Sequence, residues 1–200
     1  MRARACLAGC LILASAAAGA HSFDPFAAEK QAQFRAVVEP LRRGDAHEAL
    51  IQADQAIERF SRHAPFHVLR AQILLKLGRT APARSAIEQA IALAPEEPLA
   101  YWVRGVIHLL ERRPAQALAD FDRVLSSDDL DRALSAQAIG SRGMALTDLG
   151  RHAEALQDLD RALKLRPEAF AERQFRAAAL VALGRWAPPK EGAHEAVKSR

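Results

Sequence analysis

The sequence has little cysteine, few β-branched residues and no large excess of either charge. Only two of its 200 residues are cysteines, Cys6 and Cys10, and both lie among the first ten positions. Beyond Cys10 the chain has no thiol, which excludes a disulfide framework and a thiolate metal site there. Val, Ile and Thr are scarce, whereas Ala and Leu together make up about a third of the chain. This composition favours helix over sheet, so we expect an all-α fold.

The charge balance indicates no nucleic-acid partner. The chain has 28 basic and 24 acidic residues, a formal net charge of +4. Without Arg2 and Arg4, which lie in the leader described next, 26 basic residues remain and the net charge falls to +2. Phosphate neutralisation requires a basic patch or stripe, which so small an excess does not provide.

The first twenty residues are predicted to be a signal peptide. Two arginines precede an apolar run, and the small residues at positions 18–20 are typical of a cleavage site before His21. We therefore expect an exported protein, periplasmic or secreted. A membrane anchor is the weaker interpretation because the apolar run is shorter than the roughly 18 residues that a membrane-spanning helix needs. A lipoprotein anchored at Cys10 is also weaker, since only nine residues precede that cysteine.

A regular period runs through the rest of the chain. When the chain is divided into units, one position is glycine in four units and arginine in the fifth, with spacings of 34, 34, 38 and 34. These residues are Gly44, Gly78, Arg112, Gly150 and Gly184. Five positions later, alanine recurs in the first four units, at Ala49, Ala83, Ala117 and Ala155. A fixed period shared by several columns is the signature of a repeat architecture.

Each unit has the pattern of a helical hairpin. In residues 98–131 a first helix is predicted to end near Leu110 and a second to begin at Pro114, because proline is tolerated in the first turn of a helix. A small residue such as Gly105 is predicted to lie where the two helices cross, with Phe121 filling the gap beside it.

This pattern resembles the tetratricopeptide repeat, a 34-residue unit with small residues, aromatics and a closing proline at such offsets. The resemblance implies an all-α, right-handed solenoid of tandem helix-turn-helix hairpins. Pro188 and Pro189 are predicted to interrupt the last hairpin, with Trp186 covering its exposed face. The predicted organisation is a signal peptide (1–20), an N-terminal segment (21–29), a divergent repeat (30–63), three repeats (64–97, 98–131 and 136–169, with 132–135 inserted) and a truncated repeat with a capping helix and tail (170–200).

The sequence contains no recognisable catalytic motif. It has no glycine-rich phosphate loop, nucleophile elbow or zinc-helix motif. Among its seven histidines only His63 and His67 have a helical i, i+4 spacing, and a metal site needs a third ligand. We therefore interpret these two as surface imidazoles and expect no enzyme activity, cofactor, metal or small-molecule substrate.

An arginine recurs before each of the later joints, at Arg70, Arg104, Arg142 and Arg176. One interpretation is a ladder that binds a polyanion or an acidic peptide. The favoured one is structural, because aspartates recur on the second helices and can accept forked hydrogen bonds from guanidinium groups. The predicted acceptors are Asp120, Asp122, Asp158 and Asp160.

The resemblance also implies a concave groove lined by the first helices. In residues 98–131 all six groove positions are apolar, which suggests a site for a peptide or helix of a partner protein. The predicted partner-binding residues are Val68, Leu69, Gln72, Leu75, Trp102, Val103, Val106, Leu109, Leu110 and Met144. The alternative is that these side chains pack between neighbouring first helices or beneath the N-terminal segment.

The functional prediction is a non-catalytic protein-protein interaction module, an adaptor or scaffold. Two alternatives remain open. The chain could be an accessory subunit of an exported enzyme or assembly complex, or a self-associating module in which the groove receives a helix from a second copy.

Overall fold

The computed structural model describes residues 24–128 and 130–186. The predicted signal peptide and the tail from residue 187 onward lie outside these residues. Within the described ranges the chain forms nine helices and no strand, which confirms the predicted all-α solenoid. The helices are α1 (Ala27–Arg42), α2 (Ala46–Arg59), α3 (Ala64–Lys76), α4 (Thr80–Leu93), α5 (Pro98–Leu110), α6 (Pro114–Leu125), α7 (Arg132–Asp148), α8 (His152–Leu165) and α9 (Phe170–Ala182).

The helices form four hairpins followed by a single first helix. Helices α1 and α2, α3 and α4, α5 and α6, and α7 and α8 pack against each other, and every second helix also contacts the next first helix. The residues inserted at 132–135 add one turn to the start of α7, which has 17 residues where α3, α5 and α9 have 13. None of the helices in the described ranges is long and apolar enough to span a bilayer.

The hairpin boundaries follow from local sequence signals. Asp45 caps α2 by accepting a hydrogen bond from the backbone N–H of Glu48 at 3.0 Å, and Asp131 caps α7 by accepting two such bonds. A proline occupies one of the first two positions of α3, α5 and α6, where its missing N–H breaks no intrahelical bond. The proline signal explains why α6 begins at Pro114.

All five joints contain one residue in the left-handed region of backbone space. At four of them the residue is glycine, with φ between 65° and 87°. At the third joint it is Arg112, with φ of 65°, a conformation that costs a residue with a Cβ roughly 1 kcal/mol or more. The repeated column of glycine therefore reflects a backbone requirement rather than a binding role.

Replacing Arg112 with glycine is expected to stabilise the protein by roughly 0.5 to 1 kcal/mol, since glycine adopts this conformation without strain. The gain is measured as a rise in the urea midpoint with an unchanged slope. Gly78→Ala at the equivalent joint is the matched control and is expected to lower the midpoint. A fall in stability for Arg112→Gly would show that the arginine side chain contributes more than its backbone costs.

Where the two helices of a hairpin cross, a small residue on the first helix faces a large residue on the second. A Cβ placed on Gly105 of α5 would lie 2.5 Å from the ring of Phe121 on α6. A Cβ on Gly143 of α7 would lie 2.7 Å from Cγ of Leu159 on α8. Glycine therefore lets a large residue on the second helix fill the crossing, as the sequence predicted, and Ala117 is fully buried.

Candidate functional site

The first helices form the inner side of the array. Helix α5 contacts α3 and α7, and α7 also contacts α9, so consecutive first helices pack directly against each other. The second helices lie outside them, each between two first helices. A partner bound in the predicted groove would therefore meet α3, α5 and α7.

Nine of the ten predicted partner-binding residues are buried. Leu110 alone in this set is half-buried, and the others are no more than 5% exposed. The buried residues are Val68, Leu69, Gln72, Leu75, Trp102, Val103, Val106, Leu109 and Met144. The structure thus favours the alternative in which these side chains pack between neighbouring first helices.

Packing between first helices is the physical reason for this burial. The Trp102 side chain on α5 lies against α7, where its indole N–H donates a hydrogen bond to Oγ of Ser141 at 3.2 Å. Trp102, Val106 and Met144 belong to one continuous hydrophobic core. A binding role for the nine buried residues stays a prediction, and it requires neighbouring first helices to separate.

The solvent-accessible positions of the inner side lie at the two ends of the first helices. In each of three successive units, counted from residues 64, 98 and 136, the second and thirteenth residues are half-buried or exposed, while most groove positions between them are buried. We call these residues the groove rims. One rim is Pro65, Leu99 and Gln137, and the other is Lys76, Leu110 and Asp148.

The second rim changes charge along the array. Lys76 and Asp148 are exposed and flank the apolar Leu110. Partial burial of the Asp148 carboxyl raises its pKa, and the positive charge of Arg112 acts in the opposite direction. The sequence analysis included Leu110 of this rim but gave most weight to the apolar centre of α5, because an apolar residue looks the same in sequence whether it faces a groove or a neighbouring helix.

The arginine column is a structural ladder. Arg104 donates two hydrogen bonds to Asp120, at 3.0 and 2.6 Å, and Arg142 donates two to Asp158, at 2.7 and 3.0 Å. These paired hydrogen bonds raise the pKa of both guanidinium groups. Forked bonds of this kind hold the first and second helix of one hairpin together.

Other arginines of the ladder connect consecutive hairpins. Arg70 on α3 donates to Asp54 on α2 at 2.6 Å, and Arg176 on α9 donates to Asp160 on α8. Arg142 also reaches Asp122 on α6 at 3.1 Å. The ladder is therefore occupied by the protein's own carboxylates, which supports the structural interpretation over a polyanion site.

Replacing Arg104 with methionine is expected to lower the free energy of unfolding by about 2 to 3 kcal/mol, because it leaves the carboxylate of Asp120, 4% exposed, without its guanidinium partner. The double variant Arg104→Met/Asp120→Leu removes both charges and is expected to recover most of the loss. Urea denaturation of the two variants measures both effects. Equal losses in the single and double variants would contradict a paired structural role.

The histidines do not form a metal site in the described residues. His67 is buried and its Nε2 donates to the backbone carbonyl of Ser61 at 2.7 Å, so its interpretation as a surface imidazole is wrong. His63 is half-buried, which lowers its pKa, and its ring packs edge-on against Phe66. No group of three or more His, Cys, Asp or Glu side chains in the described part of the chain is arranged to hold a metal ion.

His108 lies within a charged network at the joint of the third hairpin. Its Nε2 is 3.7 Å from Asp120 and its Nδ1 is 4.0 Å from Glu111, which also pairs with Arg84. Burial is the largest influence on His108 and lowers its pKa. The network joins α4, α5 and α6, and its geometry is that of helix packing.

Tandem helical hairpins with a regular period, glycine-type joints and small crossing residues define a helical repeat protein. A family model described as tetratricopeptide repeat matches residues 68–132 and 111–170, which together cover slightly more than half of the chain. The chain belongs to the tetratricopeptide repeat family. A comparison with curated proteins finds no matching sequence.

Solved structures share the fold at low sequence identity. PilW, a widely conserved type IV pilus biogenesis factor, is 20% identical with a TM-score of 0.71, over 78% of this chain and 71% of PilW. MamA from Desulfovibrio magneticus RS-1 (41-end) is 19% identical with a TM-score of 0.64, over 78% of this chain and 86% of that one. A thermophilic tetratricopeptide repeat protein of Thermus thermophilus, TTC0263, is 23% identical with a TM-score of 0.63, over 78% of this chain and 84% of that one.

Proposed function

We propose that the protein is a non-catalytic scaffold that binds a segment of a partner protein across the groove rims of its first helices. Tetratricopeptide repeat proteins are protein-interaction modules. The observation that carries the proposal here is the regular solvent access of the groove rims, the second and thirteenth residues of three successive units, over a buried floor. A surface repeated in this way offers two contact positions to each stretch of a bound segment, with different side chains in each unit.

The dimensions and chemistry of the rims define the partner segment. The two rims are separated by about 16 Å along the first helices, at roughly 1.5 Å of rise per residue, which accommodates an α-helix with its side chains. Leu99 and Leu110 supply apolar contacts at the middle unit, and Lys76 and Asp148 supply opposite charges on either side. The matching segment is an amphipathic helix or extended peptide with a central apolar residue and an acidic and a basic residue flanking it.

Site-specific photo-crosslinking in cells tests this proposal. A photoreactive residue at position 110 or 99 is expected to capture one partner, and the same residue at Gln89, which is exposed on the second helix α4, is expected not to. Leu110→Lys should then abolish capture from position 99 and lower the free energy of unfolding by only about 1 to 2 kcal/mol, because the Leu110 side chain is half-buried against the core at the end of α5. Capture that is equal at positions 110 and 89 would contradict a rim site.

We also propose that the protein is exported. The support is the sequence of residues 1–20, which lie outside the described residues, with small residues before His21. The intact mass of the purified native protein tests it and is expected to correspond to a chain that begins at His21. A mass that includes Met1, or a lipid on Cys10, would contradict cleavage at this site.

A further inference from the structure

Helix α9 is a first helix whose outer face stays open in the structure. On α7, the face that carries the crossing residue is buried; its positions are Ala136, Ile139 and Gly143. The equivalent positions one repeat later on α9 are Phe170 and Arg173, which are exposed, and Ala177, which is half-buried. The face that carries the crossing contact in the preceding hairpins is therefore accessible on α9.

An open cavity lies beside this face. Its volume is about 650 Å³, and it is lined by Leu163 and Lys164 of α8, Arg173 and Ala177 of α9, and Trp186. In each preceding hairpin a second helix lies against the first helix and also contacts the next unit. The cavity is thus at the place where the repeat pattern calls for one more element.

The sequence after α9 keeps the register of the repeat. Residues 184–188 read Gly-Arg-Trp-Ala-Pro, and residues 78–82 at the start of α4, three repeats earlier, read Gly-Arg-Thr-Ala-Pro. The same offset places Ala196 at the position of Ala90, which is fully buried in α4. It places Ala193 at the position of Ile87, the residue that corresponds to Phe121 at the hairpin crossing.

We propose that the open face of α9 is a docking site for the chain's own residues 187–200. The segment has 14 residues, as many as α8, and it follows the fifth joint directly, so its local concentration at the site is high. Pro188 stands where α4 has Pro82, within the first turn of that helix. Ala193 is small, which matches the presence of Ala177 rather than glycine at the crossing.

Pro189 sets one difference from the preceding hairpins. The equivalent residues of the preceding hairpins are Ala83, Ala117 and Ala155. The backbone N–H of each donates a hydrogen bond to the carbonyl oxygen four residues earlier, at 2.9 to 3.1 Å. Proline has no such donor, so docking depends on side-chain contacts with α9 more than on a complete first turn.

Disulfide trapping in the full chain tests the proposal, in a Cys6→Ser/Cys10→Ser background. Ala177→Cys with Ala193→Cys places the thiols at positions equivalent to Gly143 and Leu159, and rapid formation of an intramolecular disulfide is expected. Ala178→Cys with Ala193→Cys is the matched control, because Ala178 is exposed on the groove side of α9. Equal rates for the two pairs would overturn the proposal.

Hydrogen exchange with mass spectrometry gives an independent readout that needs no cysteine. Peptides from residues 190–200 are expected to be protected in the native chain, and Ala177→Leu is expected to remove that protection, whereas Ala178→Leu leaves it unchanged. Exchange of 190–200 at the rate of a free peptide would overturn the proposal. So would a disulfide that forms only between two chains, because the occupant would then be a second copy.

Discussion

Replacing Trp102 with alanine is expected to lower the free energy of unfolding by about 3 to 5 kcal/mol, among the largest effects of any single change in the inner helices. The indole is 4% exposed, and it packs within the core between α5 and α7. Its removal leaves a large cavity and also leaves the Oγ of Ser141 without the indole N–H. Urea denaturation followed by circular dichroism measures the loss.

Trp102→Phe is the control that separates packing from hydrogen bonding. Phenylalanine keeps most of the buried area and loses the bond to Ser141, so a loss of about 1 to 2 kcal/mol is expected. A Trp102→Ala protein with unchanged stability and abolished partner capture would show that the indole faces an open groove instead of the core.

Replacing Gly105 with alanine is expected to lower the free energy of unfolding by about 1 to 3 kcal/mol, even though alanine is the better helix former. The added Cβ would lie 2.5 Å from the ring of Phe121, which is fully buried and cannot move away without displacing α6. Thermal and urea denaturation of the variant measure the effect.

The neighbouring hairpin provides the compensating change. It has Ala71 and Ile87 at the equivalent positions, and both are fully buried. The double variant Gly105→Ala/Phe121→Ile copies that pair and is expected to recover most of the stability lost by Gly105→Ala. If the double variant is less stable than Gly105→Ala alone, the crossings are not interchangeable between repeats.

Much of the fold could be predicted because it depends on local and short-range signals. The end of α5 at Leu110 and the start of α6 at Pro114 follow from joint and proline signals close to each boundary. The crossing of Gly105 and Phe121 joins two residues of the same unit. A repeated sequence supplies such information again in every unit, so each unit supports the assignment of the next.

The inner face could not be predicted because it depends on contacts between units. Trp102 and Ser141 are 39 residues apart, and their hydrogen bond reflects how closely α5 and α7 approach. An apolar stripe on a first helix fits an open groove and a closed one equally well. Only the stacking of successive hairpins decides between them, and here it buries the stripe and leaves Leu110 at its edge.

The arginine ladder could be predicted only in part, because some of its contacts lie within a unit and others join two units. The acceptor Asp120 stands 16 residues after Arg104, so the pair within one hairpin could be predicted from the sequence. At Arg70 the equivalent residue of the second helix is Ala86, and the guanidinium instead reaches back to Asp54 on the preceding hairpin. That reversal requires the distance between hairpins, which sequence spacing alone does not supply.

Solvent access to Trp102 tests the closed inner face most directly. The chain has two tryptophans, and Trp186 is 46% exposed, so the variant Trp186→Phe leaves Trp102 as the sole indole. The fluorescence of this variant in the native state is predicted to be blue-shifted and almost insensitive to acrylamide. Emission and quenching like those of the urea-unfolded protein would contradict a buried groove floor and place Trp102 on the binding surface.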